Sequence, residues 1–245
     1  MRSLPADPNG ATLSDLTPFA LDVWVVEYPV RYFALDISAR MTVIRLSDAS
    51  VMLHSPGPVS MQLKSEIEAI GPVTWIIAPG TFHHLHVGAA QATFPNASTW
   101  ICPGLETKRP DIGFDGILSD DAPPEWGDQF DLVVVAGNRL MSEVAFYHRA
   151  SRTLLLVDLI EWIGDNTPRV GWALRIWWAI FRMWNKPRPA PEYAMGWRNK
   201  KTAAGCLQRI LRWDFQRIVI SHGDLVTETA QAVAREAWAS VLRHG

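Results

Sequence analysis

The 245-residue chain predicts an α/β fold in which two mixed β-sheets pack between helices. Two observations along the chain carry this expectation. Strand hairpins alternate with strand–helix–strand units, and short branched apolar runs stop abruptly at Pro, Gly, Asp or His. Composition supplies the third: 48% hydrophobic and 20% charged residues describe a folded chain with a large core. One domain over residues 1–245 is expected, carrying a tryptophan-rich insertion at about 161–205.

Residues 1 to about 17 read as a tail or an edge-wrapping segment. Leu21–Tyr28 reads as a strand, and Met41–Leu46 with Ser50–His54 as a hairpin around the polar turn SDAS. SPGP breaks the chain after His54. Val59, Leu63, Ile67 and Ile70 have helical spacing, and Gly71-Pro72 stops that helix. Val73–Ala78 is a buried strand ended by Pro79-Gly80. A short helix from Gly88 to Phe94 and a strand over Thr99–Cys102 follow. Pro103–Trp126 reads as a long ordered loop. Phe130–Ala136 is a strand, Glu143–Tyr147 and Thr153–Val157 form a hairpin around HRAS, Trp213–Ser221 is the last strand, and Thr227–Arg243 is a closing helix.

The bulk properties exclude some classes. The net charge is −2, so nothing suggests a nucleic-acid partner. Cys102 and Cys206 form neither a CxxC pair nor a disulfide framework, which fits a reducing compartment. The first residues lack the apolar core of a signal peptide or membrane span, so a cytoplasmic protein is expected. There is no GxSxG elbow, GxGxxG loop or phosphate-cradling GK[ST] motif. Ser55 and Ser221 lie near histidines, but without that elbow they make a weak case for a serine nucleophile.

Chemistry gathers at three strand ends. His83, His84 and His86 follow the Val73–Ala78 strand, Asp158 ends RTLLLVD, and His222 follows RIVIS. A polar side chain inside a buried strand lacks partners, but at the carboxyl ends of strands α/β sheets keep their sites. If the histidine segment is extended, His84 and His86 share one side and His83 faces the other; a shift of one residue exchanges His83 and His84. His84, His86, Asp158 and His222 thus form a nitrogen and oxygen donor set suited to one zinc, iron or manganese ion. The competing reading is a loop whose histidines and Asp158 simply hydrogen-bond to one another and to backbone. Gly223 permits an unusual turn beside His222, and Asp224 either orients His222 or caps the last helix. His54 borders the same cleft or is an ordinary surface histidine.

The 161–205 segment holds six of the twelve tryptophans and the helical run WALRIWWAIFRMW. That run is too short to span a bilayer, which needs about 20 apolar residues. Lys186, Arg188, Arg198, Lys200 and Lys201 follow it. A core-covering helix with a solvated basic loop, a lid or self-association surface, and a peripheral membrane contact are all consistent with this pattern.

The strand followed by HxH, the later strand ending in Asp and the final strand ending in SHG resemble the metallo-β-lactamase superfamily, as does the hairpin at 41–54. APGTFHHLHVG, PGLETKRPD, EVAFYHRASRTLLLVDL and RWDFQRIVISHGD look like an uncharacterised, domain-of-unknown-function branch of it. The resemblance implies an αββα sandwich with a site between the loop ends of the sheets. It places His84 and His86 at the first two ligand positions, Asp158 at the bridging carboxylate and His222 at the last histidine. Gly88 and Ala89 stand where the HxHxDH pattern has Asp and His, and Asn138 stands where a further histidine is expected. The implied protein has a reduced metal site. It is either a metal-dependent hydrolase of an unknown small-molecule substrate, with Asp158 positioning the metal and Asn138 hydrogen-bonding substrate, or a non-catalytic binding protein on the same scaffold.

Overall fold

The computed structural model describes residues 16–32, 35–165, 167 and 170–245. Nearly all of the N-terminal tail named above lies outside the described residues. Eleven strands are described, in two sheets. The first has seven strands in sequence order: β1 (Thr17–Ala20), β2 (Val23–Tyr32), β3 (Leu35–Arg45), β4 (Val51–His54), β5 (Val73–Ala78), β6 (Ser98–Ile101) and β7 (Gly116–Ile117). β1 to β4 are antiparallel neighbours, while β4 to β7 run parallel. The second sheet orders β11 (Arg217–Val219), β10 (Thr153–Leu155), β9 (Val144–His148) and β8 (Phe130–Val134), with only β10 and β11 parallel.

Side-chain alternation makes the layers. Val23, Val25, Ile44, Met52 and Ile77 of the first sheet face Phe130, Leu132, Val144, Phe146 and Leu155 of the second in one buried cluster. The opposite face of the first sheet, including Met41, Val43 and Leu53, packs on Leu63 and Ile67 of α1 (Met61–Ile70). Ile76, Ala78 and Ile101 pack on α2 (Val87–Thr93) and α3 (Leu105–Lys108). The second sheet's outer face covers α6 (Lys200–Ile210) and α7 (Ala230–Leu242) through Ala203, Leu207, Ala234 and Trp238. Helix, sheet, sheet, helix is the αββα sandwich.

Local sequence explains the boundaries. Ser60 caps α1 by accepting the Leu63 N–H at 3.1 Å. Gly71 ends it where a Cβ would lie 2.0 Å from the Ala49 carbonyl oxygen, a space only glycine leaves. Asn199 caps α6 through the Thr202 N–H. One expectation changes. The 103–126 loop contains α3, β7 and the start of a 3-10 turn at Pro124–Gln129. Within 161–205, α4 (Trp172–Ile180), α5 (Pro191–Gly196) and α6 have different neighbours. Tyr193 of α5 and four α6 residues belong to the main core, whereas Leu174 and Trp178 of α4 join Ile163 and Met183 in a small separate cluster.

Candidate metal centre

The carboxyl ends of β4, β5, β10 and β11 lie together, and each delivers one polar side chain. Ser55 follows β4, His83 follows β5, Asp158 lies beyond β10 and His222 beyond β11. His83 Nε2 stands 3.1 Å from Asp158 Oδ1, and His222 Nε2 stands 3.7 Å from the same oxygen. The two imidazole centroids are 5.3 Å apart. Among the described residues this trio is the one group of His, Cys, Asp or Glu whose donor atoms converge, all within 4.8 Å of one another.

The extended backbone expected for the histidine segment is not what forms, and that changes which histidine meets Asp158. Residues 81–86 are a run of turns, with the His83 N–H donating to the Gly80 carbonyl at 3.0 Å and the Val87 N–H to His84 at 3.2 Å. Neighbours in a turn do not alternate with period two. His83 therefore enters the site. His84 is buried apart from the trio, its Nδ1 without a hydrogen-bond partner, and its pKa falls to about 4 through burial and then the charges of Lys108 and Arg109. His86 forms the N-cap position of α2 and sets its ring edge-on to Tyr28 at 5.3 Å. Asn138 is a loop bracket: its amide donates to the Tyr193 carbonyl at 2.7 Å, and its oxygen accepts the Leu140 and Met141 N–H groups. The residues that the structure brings together are thus His83, Asp158 and His222, with His84, His86 and Asn138 in other surroundings.

Each member of the trio is held from behind. The far nitrogen of His83, Nδ1, is 2.8 Å from Ser55 Oγ, and Ser55 has a left-handed backbone (φ 54°) at the sharp exit from β4. The far nitrogen of His222, Nδ1, is 2.9 Å from the Ser38 carbonyl. A carbonyl only accepts, so His222 carries its proton on Nδ1 and, when neutral, turns a bare Nε2 toward Asp158. The β2–β3 hairpin supplies more than Ser38. Its buried Arg40 donates to the carbonyls of Ile220 and Gly223, and pairs with Glu27. Gly223 (φ 99°) allows the turn, and a Cβ there would strike the Trp162 carbonyl at 2.0 Å. The Asp158 loop is fixed by Glu143. This carboxylate accepts N–H bonds from Val157 at 2.8 Å and from Asp158 and Leu159 at 2.9 Å. Trp238 Nε1 donates to the Leu159 carbonyl from the other side.

The charges follow from this packing. Burial pushes Asp158 up, but His83, His222 and Lys108 outweigh it and hold its carboxyl below the usual value. Burial, then the nearby His83, brings His222 down to about 4 despite Asp158. Burial and the charge of Asp158 push Glu143 up against the pull of its three N–H donors. His54, also behind the site, is buried edge-on to Phe146 and falls to about 3 through burial and then His83.

The donor set fits a divalent ion. Two ligands on a tetrahedral ion with bonds of about 2.0–2.1 Å lie roughly 3.3 Å apart; the two separations to Asp158, 3.1 and 3.7 Å, bracket that figure, and the third, between the histidines, lies within 4.8 Å. Imidazole nitrogen and carboxylate oxygen suit zinc, iron or manganese. Three residues leave the centre incomplete relative to a closed four-ligand site.

This architecture and site define a metallo-β-lactamase fold with a partial His/Asp cluster. Solved structures agree in fold. A metallo-β-lactamase from Pontibacter korlensis superposes with a TM-score of 0.65 at 14% identity, over 96% of this chain and 100% of that one. The enzyme FIM-1 from Pseudomonas aeruginosa, in a mono-zinc form, gives 0.60 at 11% identity over 96% and 94%. A metallo-β-lactamase from Erythrobacter litoralis gives 0.59 at 12% over 97% and 96%. Comparison with curated protein sequences yields no match. Residues 21–176 match the profile of a domain of unknown function, DUF4336, and the chain belongs to that family.

Proposed function

We propose that the protein is a metal-dependent hydrolase with a single-ion site made by His83, Asp158 and His222. The observation that carries this reading is the convergence on Asp158 of two imidazole edges, one of which, His222 Nε2, has its proton assignment fixed by the Ser38 carbonyl. Three protein ligands plus an open position is the arrangement of catalytic zinc sites. A mono-zinc form is on record for FIM-1, a protein of the same fold. When bound, the ion would supply Lewis acidity and lower the pKa of a coordinated water to about 7.

The chain's own groups do the rest. Ser55 and the Ser38 carbonyl hold the two rings in the orientation that presents Nε2, as outer partners of metal-binding histidines do. Glu143 anchors the Asp158 loop and Arg40 the His222 loop. Lys108 brings a positive charge to the site's edge. Its ammonium donates to the Thr81 carbonyl at 2.7 Å and lies 3.4 Å from the centroid of the Phe82 ring; burial lowers its pKa against the opposing charge of Asp158. A cation so placed favours a substrate with an anionic group beside its ester or related bond.

Elemental mass spectrometry of the purified protein tests the site. About one equivalent of ion is expected in the parent, roughly tenfold less in His83→Ala and His222→Ala, and no loss in His84→Ala. A parent that stays empty after incubation with zinc, iron and manganese overturns the reading. A loaded protein inactive on a panel of anionic esters would retain the metal site and remove the hydrolase.

A further inference from the structure

We infer that the outer face of α4 docks on an anionic lipid bilayer. The helix is anchored by one side, where Leu174 and Trp178 are buried against Ile163 and Met183. Its other side is as apolar as the buried one. Trp172, Ile176 and Ile180, four residues apart and therefore in one row, are 76%, 52% and 68% exposed, and Trp177 and Phe181 extend the row sideways. A helix on a water-facing surface ordinarily turns charged residues outward; in α4 only Arg175 is charged. A contiguous apolar ridge of this kind marks a contact surface.

The charge around the ridge selects the partner. Between positions 171 and 201 the chain has seven Lys and Arg residues and one acid, Glu192, although the whole molecule is slightly negative. Arg182, Lys186, Lys200 and Lys201 are exposed. Two of the region's cations lie beside the ridge: a cleft of about 150 Å³ is lined by Phe181 and Met183 together with Lys200 and with Arg188, which also pairs with Glu236. Aromatic and aliphatic side chains that enter the boundary between headgroups and acyl chains, flanked by Lys and Arg that meet anionic headgroups, are the chemistry of interfacial binding. A second copy of this chain would bring an equally cationic surface to the same contact and be repelled by it. The helix lies on the surface and does not cross: α4 has nine residues, and among the described residues no helix is long and apolar enough to span a membrane.

Flotation of the full chain with phosphatidylcholine vesicles, with and without phosphatidylglycerol, tests this. The protein is expected to float with the anionic vesicles, to lose most binding at 0.5 M salt because screening weakens the headgroup contacts, and to bind at least about tenfold more weakly as Ile176→Glu/Ile180→Glu. Both positions face solvent, so the variant should fold; its circular dichroism and melting are recorded alongside. Met61→Glu, at an exposed apolar position on α1, is expected to float like the parent. No flotation with anionic vesicles overturns the inference. So does flotation that the double substitution leaves unchanged, or a dimer by sedimentation that the double substitution dissolves without any vesicle binding. Metal loading plays no part in this assay, so its outcome is separate from that of the hydrolase reading.

Discussion

Buried histidines in this molecule differ less in their chemistry than in the partner each one finds. His83 reaches Asp158 and Ser55, whereas His84, the next residue, is buried beyond the trio. The phase of that pair was not legible in the chain, because a turn and a strand send adjacent side chains in different directions and HHLH fits both. Asp158 and His222 were legible, since each ends a branched apolar run that has no use for a polar group inside it. His148 shows what a histidine costs when it has no such role. It sits in β9 with 1% exposure, Nδ1 2.8 Å from Ser151 Oγ and its ring 5.2 Å from that of Phe130, and burial brings its pKa down to about 4. Unfolded, the same ring titrates near 6.5. The unfolded chain therefore binds the extra proton between about pH 6.5 and 4. Stability present above that window is lost as the pH falls through it, by on the order of 3 kcal/mol for this one group. Urea unfolding in chelator at pH 7, 5.5 and 4.5 should give a shallower loss for His148→Gln than for the parent, although the variant starts about 1 kcal/mol less stable. Parallel curves would mean that His148 does not stay neutral in the fold.

At the scale of elements, the sequence marks strands that end sharply and hides those held by distant partners. β4 and β5 were legible from apolar runs closed by SPGP and PG. α6 was not, because its opening Lys-Lys continues a basic stretch and two of its four buried positions, Ala203 and Ala204 beside Leu207 and Ile210, are too small to stand out. The arm of the β2–β3 hairpin from Ile37 to Arg40 was also missed, although Arg40 and the Ser38 carbonyl set the His222 loop. Neither partner is near in sequence. Glu143 is the third such case. It satisfies three consecutive buried N–H groups at the end of β10, where the ladder stops and the chain must turn to present Asp158. Glu143→Ala leaves those donors unpaired, each worth about 1–3 kcal/mol, offset in part because a buried carboxyl disfavoured by Asp158 is removed. A net loss of about 3 kcal/mol in unfolding free energy is expected, and with it a fall in bound metal, because the Asp158 loop is no longer fixed. A variant as stable as the parent would show that water or a neighbouring group replaces the carboxylate.

For the whole molecule, the question is whether the tryptophan-rich region rides on the sandwich or belongs to it. Within 161–205, Leu174 and Trp178 belong to a small cluster of their own. The later part of the region is continuous with the second sheet. Leu207 and Ile210 of α6 are fully buried in the same cluster as Leu154 of β10, Ile218 of β11 and Trp238 of α7. α6 is thus one of the outer layers of the αββα sandwich, and the sheet that carries Asp158 and His222 would expose its back without it. Leu207→Ala should cost about 2–5 kcal/mol, the range for a buried leucine whose cavity does not collapse. If α6 is structurally part of the sandwich, that loss spreads over the molecule: far-ultraviolet circular dichroism and tryptophan fluorescence should still report one coincident urea transition, shifted to lower denaturant. Ile176→Glu on the exposed ridge of α4 should leave the midpoint nearly in place, because the side chain is already half in water. A biphasic Leu207→Ala transition, with fluorescence changing before the backbone signal, would instead make the region a separately folding unit and leave the metal-bearing sheets able to stand without it.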